Sequence, residues 1–232
     1  MTEAYLFDPP AVPSVAITDR PEQFPLRRIF CVGRNYAAHA AEMGNEVDRE
    51  APFYFTKSAH AFCPSGSEIA YPPGTQDCHY EMEFVVALGA ELFGVAGDAV
   101  MEAVWGYGSG IDLTRRDLQG QAKEKRRPWD LGKDFENAAI LGALTPRAAF
   151  GEIGEQRITL EMDGRTVQDA HLSDMVWSVP EILAHLSQYY RLMPGDVIMT
   201  GTPAGVGPVT PGAKLTGRID GLAPVELAIK RG

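Results

Sequence analysis

The chain has 232 residues, of which 45% are hydrophobic and 22% are charged. These values fit one globular domain with a sizeable core and exclude a disordered chain. The 21 lysines and arginines face 31 aspartates and glutamates, a formal net charge of −10, which argues against a nucleic-acid partner because affinity for the phosphate backbone comes mainly from cationic side chains.

Neither a disulfide framework nor a membrane segment is predicted. The cysteines, Cys31, Cys63 and Cys78, are odd in number and widely spaced, which favours free thiols in a reducing compartment. No run of about 18 apolar residues occurs, and the N-terminus lacks the pattern of a secretory leader. We therefore expect a soluble, cytoplasmic protein with no membrane partner.

Residues 1–26 contain five prolines, which disfavour a helix or a central strand. We expect them to form an extended N-terminal arm laid on one main domain, residues 27–232. That domain opens with a short apolar strand at residues 28–32. An Ala-rich helix follows at residues 35–43, with Asn35 as its candidate N-cap.

A polar stretch at residues 44–52 predicts a loop, and the next strand ends at residue 57. The clearest strand covers residues 81–89, where β-branched and aromatic residues are typical of a central strand. A helical segment is predicted at residues 97–105. Three glycines in the next five residues do not form a dinucleotide fingerprint, because Ile111 stands where the third glycine would be needed.

The second half begins with a charged helix at residues 114–127. Asp163-Gly164 predicts a two-residue hairpin turn, and Ser178 with Glu181 forms a capping box for a helix at residues 178–191. Short strands separated by Gly/Pro turns follow. Many short strands with few helices and no regular alternation favour an α+β architecture over a doubly wound sheet.

Three carboxylates could hold a metal ion. Glu81 and Glu83 are two residues apart in the clearest strand, so both side chains lie on one face. Asp112 follows a glycine-rich apolar segment. Such a set suits a hard divalent cation such as Mg²⁺ or Mn²⁺, although a solvated strand edge would also account for the two glutamates.

His39 and Glu42 are three apart on the predicted helix and share a face. A carboxylate beside an imidazole can orient a general base, but an ordinary surface pair has the same spacing. Lys133 could neutralise a developing oxyanion or be a plain surface lysine. The basic stretch at residues 123–127 lacks interleaved aromatics and is interpreted as a solvated helix face.

The loop at residues 200–203 could present backbone N–H groups to a carboxylate or form a plain β-turn. It lacks the Gly-Lys-Ser/Thr of a phosphate-binding loop, which disfavours a nucleotide site. The chain also contains no Gly-x-Ser-x-Gly elbow, which disfavours a serine hydrolase.

Six ordered motifs resemble the fumarylacetoacetate hydrolase family over almost the whole chain. They are CVGRNYAAHAAEMG (31–44), FYFTKSAHAF (53–62), HYEMEFVVALG (79–89), GYGSGIDLTRRDLQ (106–119), PWDLGKDF (128–135) and GDVIMTGTPAGVG (195–207). The resemblance implies a mixed β-roll with flanking short helices, a homodimer, and a hydrolase that cleaves the carbon–carbon bond of an acylpyruvate. Fumarylpyruvate is the expected substrate, and gentisate breakdown is the expected setting.

The resemblance also implies roles for individual residues. Glu81, Glu83 and Asp112 would bind one Mg²⁺ or Mn²⁺ ion. His39 with Glu42 would activate water, on a segment that in this family often orders as a lid, and Lys133 would stabilise negative charge. The remaining residues would contact a small anionic keto-acid substrate: Arg34, Arg116, Gln119 and Thr202. Ser58 and Arg115 depart from residues common in the family, which leaves substrate preference open.

Three alternatives stay open at this point. The same kind of site could decarboxylate oxaloacetate without an attacking water, or isomerise a keto-enol acid. A non-catalytic, metal-dependent dicarboxylate-binding protein belongs to a different class. Such a protein has no use for a His/Glu pair beside the metal, so His39 and Glu42 distinguish it from an enzyme.

Overall fold

The computed structural model describes residues 4–42, 44 and 49–231, which include the following strands. They are β1 (Ser14–Ala16), β2 (Gln23–Pro25), β3 (Arg28–Gly33), β4 (Phe53–Lys57), β5 (Phe62–Pro64), β6 (Ser67–Ile69), β7 (Cys78–Tyr80), β8 (Met82–Leu88) and β9 (Val104–Asp112). The later strands are β10 (Thr114–Arg115), β11 (Ala139–Leu141), β12 (Thr145–Pro146), β13 (Arg157–Met162), β14 (Arg165–His171), β15 (Asp196–Met199), β16 (Gly207–Pro208), β17 (Lys214–Ile219) and β18 (Val225–Ile229).

The helices of this part of the chain are short. The α-helices are α1 (Ala37–Glu42), α2 (Arg116–Glu124), α3 (Asp130–Lys133), α4 (Arg147–Phe150) and α5 (Val179–Leu186). The 3₁₀ helices cover Ala59–Ala61, Gly97–Ala103 and Leu172–Asp174. No helix within the described ranges is long and apolar enough to span a bilayer.

Two sheets carry most of the described strands, and their curled, mixed arrangement confirms the predicted α+β class. The larger has the order β4-β3-β15-β8-β9-β11-β5, with β12 paired to β9. The smaller has the order β14-β13-β17-β18-β6. Pairing is mostly antiparallel, but β15 with β3, β11 with β5 and β18 with β6 are parallel.

Strand β8 is buried on both faces, as predicted for a central strand. Phe84, Val86 and Leu88 enter the larger hydrophobic core, which packs against the smaller sheet and α5. Val85 and Ala87, which point the other way, enter a second core. This second face of the sheet is also the face on which Glu81 and Glu83 lie, because side chains alternate along a strand.

The N-terminal segment covers part of the second core. Strands β1 and β2 pair in antiparallel register, and Val15 and Phe24 are buried there. Residues ahead of the hairpin, among them Leu6 and Phe7, are exposed. The domain boundary between residues 26 and 27 stays a prediction.

Several predicted element boundaries were wrong. The helix predicted at residues 97–105 is 3₁₀ and stops at Ala103, because Val104 begins β9. The helix predicted from residue 114 begins at Arg116, and the one predicted to end at residue 191 ends at Leu186. The predicted helix end at Met43 and residues 45–48 of the predicted loop lie outside the described residues.

Asn35 is not a helix cap. Its side-chain amide donates to the carbonyls of Trp177 (3.0 Å) and Thr200 (2.8 Å), and its Oδ1 accepts the Trp177 N–H (2.7 Å). The side chain therefore joins the start of α1 to two distant loops, a tertiary role that competes with capping and that local sequence does not reveal.

Two local turn predictions are confirmed. Asp163 and Gly164 have φ values of 52° and 77°, the positive values that a type I′ hairpin turn requires, between β13 and β14. Ser178 donates from its backbone N–H (2.8 Å) and from its hydroxyl (2.7 Å) to Glu181 at the start of α5.

The glycines of β9 permit close packing of its neighbours. A Cβ atom on Gly106 would lie 2.3 Å from the carbonyl oxygen of Thr145, and one on Gly110 would lie 2.8 Å from Val85 Cγ2. Glycine therefore lets β12 and the second core approach the strand that ends in Asp112. The glycines were evident in the sequence, but the strand that contains them was not predicted.

Substituting Gly106→Ala should lower the free energy of unfolding by about 1–3 kcal/mol, the range for overpacking, because backbone must move to admit the methyl group. Gly120→Ala in α2 is the matched control, since nothing lies within 4 Å of its added Cβ and alanine favours a helix. Chemical denaturation measures both. Equal stability of the two variants would contradict the packing argument.

Candidate metal centre and active site

Three buried carboxylates converge where β8 begins and β9 ends. Glu81 precedes β8, Glu83 lies within it, and Asp112 is the last residue of β9. Glu83 is opposite Gly110 in the register, and the Asp112 N–H donates to the Glu81 carbonyl (2.8 Å). One ligand oxygen from each side chain lies within 4.8 Å of the others. The two glutamates therefore do not form a solvated strand edge.

Lys133 reaches the centre of this cluster from α3. Its Nζ donates to Glu81 Oε2 (2.6 Å), Asp112 Oδ2 (2.8 Å) and Thr114 Oγ1 (2.6 Å). Burial by itself would lower the pKa of Lys133, but Asp112 and Glu81 raise it well above its usual value. The ammonium is therefore charged at neutral pH, and because the side chain is buried the surface interpretation of Lys133 was wrong.

Lys57 approaches the cluster from the end of β4. Its side chain is fully buried, and its Nζ lies 2.8 Å from Asp112 Oδ1. The same ammonium donates to the backbone carbonyls of Leu113 (3.1 Å) and Lys133. Asp112 therefore has a cation beside each of its carboxylate oxygens, Lys57 at Oδ1 and Lys133 at Oδ2.

The two glutamates experience different electrostatic environments. Burial raises the pKa of Glu81, but Lys133 and Arg116 outweigh it and hold that pKa well below the usual range. Burial, Asp112 and Glu81 together raise the pKa of Glu83 well above its usual value, although the Gly201 N–H donates to its Oε2 (2.8 Å). Without a metal ion, Glu83 therefore holds a proton more readily than Glu81 does.

The donor set fits a hard divalent cation. The three residues supply only carboxylate oxygens, the ligands that Mg²⁺ and Mn²⁺ prefer. Asp112 Oδ1 makes no hydrogen bond within the described residues, because Lys57 lies near it but outside hydrogen-bonding geometry. A cation bound among the three carboxylates would also offset the repulsion by Asp112 and Glu81 that contributes to the raised pKa of Glu83.

His39 and Glu42 meet as predicted, on α1. His39 Nδ1 lies 3.4 Å from Glu42 Oε2, and the Glu42 carboxylate accepts the Gly205 N–H at 3.1 Å. Burial lowers the pKa of His39, against the opposing effect of Glu81 and Glu42. The imidazole is thus neutral at neutral pH, and a proton on Nδ1 leaves Nε2 as the basic atom. His39 is buried, so the ordinary surface pair does not apply.

The predicted substrate-contact residues line one small cleft together with His39, Glu81 and Glu83. Its cavity volume is about 40 Å³. Two of these residues are already hydrogen-bonded: Arg116 donates to Gln119 (2.8 Å) and to Glu81. The lining side chains include Arg34, His39, Glu81, Glu83, Arg116, Gln119, Lys133 and Thr202. Asp112 lies behind them and is fully buried.

The loop at residues 200–203 is held beside the cleft from two directions. Gln168 donates to Thr202 Oγ1 (2.9 Å) and to the Pro203 carbonyl (2.8 Å), and its Oε1 accepts the Met82 N–H (2.9 Å). From its sequence, this loop could present backbone N–H groups to a carboxylate. The Gly201 N–H does donate to a carboxylate, but to that of Glu83 in the protein itself.

Four charged or aromatic residues of this site were not predicted from the sequence. Phe55, Lys123 and Trp129 line the cleft, and Lys57 lies beneath it. The solvated-face interpretation was wrong for Lys123, which is half-buried, and correct for the exposed residues 124–127. Helical spacing could have found Lys123, since it lies seven residues after Arg116 and four after Gln119, on one face of α2.

Comparison with known proteins gives concordant matches. A family model described as fumarylacetoacetate (FAA) hydrolase C-terminal matches residues 28–230. Fumarylpyruvate hydrolase from Ralstonia sp is 47% identical over 190 residues, covering 81% of this chain and 98% of that protein. Oxaloacetate tautomerase YcgM from Escherichia coli (strain K12) is 37% identical over 199 residues, covering 85% of this chain and 90% of that protein.

A solved structure is similar over nearly the full length. The crystal structure of fumarylpyruvate hydrolase from Pseudomonas aeruginosa in complex with Mn²⁺ and pyruvate aligns with a TM-score of 0.95 and 43% identity. The alignment covers 99% of this chain and 100% of that one. The β-roll expected from the sequence motifs is thereby confirmed.

Binding of Mn²⁺ should release protons, in a number per ion that falls as the pH rises, because the raised pKa of Glu83 favours its neutral form and the side chain must ionise to act as a ligand. Calorimetric titration in buffers of different ionisation enthalpy measures this number, and the apparent affinity should rise with pH. Glu83→Gln should weaken binding and abolish the release. Tight binding without proton release at any pH in the unsubstituted protein would contradict the raised pKa of Glu83.

Proposed function

The chain belongs to the fumarylacetoacetate hydrolase family, and we propose that it is a metal-dependent hydrolase that cleaves the carbon–carbon bond of an acylpyruvate. Fumarylpyruvate is the substrate we favour, with fumarate and pyruvate as products. The observation that carries the proposal is the placement of a basic imidazole, His39, in the same cleft as a buried carboxylate cluster. The similarity to fumarylpyruvate hydrolases supports the choice of substrate.

In this proposal Glu81, Glu83 and Asp112 hold one Mg²⁺ or Mn²⁺ ion. When bound, the ion supplies Lewis-acid polarisation of a substrate carbonyl. Arg116 and Gln119 orient the keto-acid end of the substrate, while Arg34 and Thr202, which line the same cleft, contact its oxygens. The positive charges of Arg34 and Arg116 make the cleft favourable for an anion although the protein as a whole is negatively charged.

His39 performs the proton transfer. Its Nε2 accepts a proton from water, and the water oxygen attacks the carbonyl that is distal to the carboxylate end. Glu42 holds the ring through Nδ1 and stabilises the imidazolium that forms. The bond between the attacked carbonyl and the methylene carbon then breaks, its electron pair passes to the pyruvate fragment, and that carbon takes up a proton. Lys133 stabilises negative charge throughout, because it remains protonated.

A second candidate, oxaloacetate tautomerase, is favoured by relatives of that name that are 35–37% identical to this chain. Tautomerisation moves a proton without breaking the carbon skeleton and requires no attacking water. Release of pyruvate from fumarylpyruvate therefore supports the hydrolase, and oxaloacetate ketonisation without pyruvate release from any acylpyruvate supports the tautomerase. Homodimer formation, a cytoplasmic location and a role in gentisate breakdown stay predictions.

Replacement of the base tests the hydrolase directly. His39→Ala should lower kcat for fumarylpyruvate by about 10²–10⁴-fold, the range for loss of a general base, while calorimetry shows that Mn²⁺ affinity is retained. His60→Ala is the matched control, because His60 is exposed and lies outside the cleft. Pyruvate release in steady-state assays measures both. Full activity of His39→Ala would contradict the assigned role.

A further inference from the structure

Lys123 is the one cleft-lining cation, within the described residues, for which the proposed reaction gives no role. It is half-buried and follows Arg116 and Gln119 on the face of α2 that lines the cleft. Its Nζ lies 4.9 Å from the centroid of the Trp129 ring. Arg116 pairs with Glu81 and Lys133 pairs with Glu81 and Asp112, but no carboxylate of the described chain is in ion-pair contact with Lys123.

The charges that line the cleft can pair with more than one anionic group. Arg34, Arg116, Lys123 and Lys133 line it, against the carboxylates of Glu81, Glu83 and Asp112 in or behind its wall. These cations already outnumber the carboxylates, and a bound divalent ion would add two more positive charges to the excess. Burial, Arg116 and Arg34 lower the pKa of Lys123, as expected for a cation among cations. A single carboxylate would offset only part of this excess.

Position along α2 separates Lys123 from the keto-acid end of the site. Arg116, at the start of α2, pairs with Glu81. Lys123 lies seven residues later, which corresponds to roughly 10 Å along the helix axis, and so stands near the other end of the same helix face. Between these ends the cleft wall is aromatic: Phe55 and Trp129 both line it, with ring centroids 5.9 Å apart. Flat apolar walls suit a planar, unsaturated chain.

Given the proposed function, on which this inference rests, we propose that Lys123 binds a second carboxylate at the distal end of the substrate and so selects dicarboxylic acylpyruvates over those with uncharged acyl groups. In the absence of substrate its ammonium rests over Trp129. When the chain of the substrate lies along the aromatic wall, the ammonium pairs with the terminal carboxylate. Lys123 is then a specificity-determining residue and takes no part in bond cleavage.

The test compares kcat/KM for fumarylpyruvate with kcat/KM for acetylpyruvate, an acylpyruvate that ends in a methyl group. Lys123→Met should lower the ratio of the two by about 10- to 100-fold, the equivalent of one charged hydrogen bond, and the loss should appear mainly in KM. Lys123→Arg should keep most of the ratio. Lys125→Met is the matched control, because Lys125 follows the same helix and is exposed.

Equal losses on both substrates in Lys123→Met would overturn the inference, since a merely structural partner of Trp129 would affect both alike. A second measurement does not depend on catalysis. Calorimetry of the Mn²⁺-loaded protein compares 2-oxoheptanedioate with 2-oxoheptanoate, which are seven-carbon keto acids with and without the distal carboxylate. Neither has the second keto group that water must attack, so neither is cleaved. The unsubstituted protein should prefer the diacid, and Lys123→Met should lose that preference.

The two measurements separate the two proposals. If the unsubstituted protein cleaves neither acylpyruvate, the proposed function fails, and the binding pair alone decides the role of Lys123. A diacid preference that depends on Lys123 supports the inference in that case as well. An absent preference, or one that survives in Lys123→Met, overturns it whatever the protein hydrolyses.

Discussion

Repulsion among three buried carboxylates is the constraint on which the rest of the site depends. Two unit charges at the spacing of Glu81, Glu83 and Asp112 repel by at least about 3 kcal/mol at an effective dielectric constant near 20, and burial removes the water that would stabilise them. The fold answers with cations from separate elements: Lys57 from β4 and Lys133 from α3. Even so, Glu83 retains a raised pKa, so the protein by itself leaves the cluster incompletely neutralised.

The incomplete neutralisation of these carboxylates by the lysines gives the site its affinity for a divalent ion. A cluster fully neutralised by lysines would attract a divalent ion less strongly, and a cluster without lysines would be costly to bury when no ion is bound. The intermediate balance allows an ion to displace the proton of Glu83. The added charge then makes the cleft attractive to small anions although the whole chain carries a formal net charge of −10. The acidic composition and an anionic substrate are therefore compatible.

The sequence predicted those parts of the site that depend on local periodicity. Two-residue spacing brought Glu81 and Glu83 to one face, and three-residue spacing brought His39 to Glu42. Lys57 was not identified, because the burial of a lysine at a strand end depends on which strands cover it. Asn35 was assigned a local cap because its tertiary partners, in loops more than 140 residues away, leave no signal in the neighbouring sequence. The need for glycine in β9 likewise could not be predicted, because it depends on how closely the neighbouring strands pack against it.

The most direct test of the central claim is a crystal structure of the protein soaked with Mn²⁺, with diffraction recorded at the manganese absorption edge. We predict one anomalous peak per chain within coordination distance of carboxylate oxygens of Glu81, Glu83 and Asp112, with Lys133 still in contact with the cluster. A strong peak elsewhere with these carboxylates unchanged, or the ammonium of Lys133 occupying the site while the ion is excluded, would contradict the account.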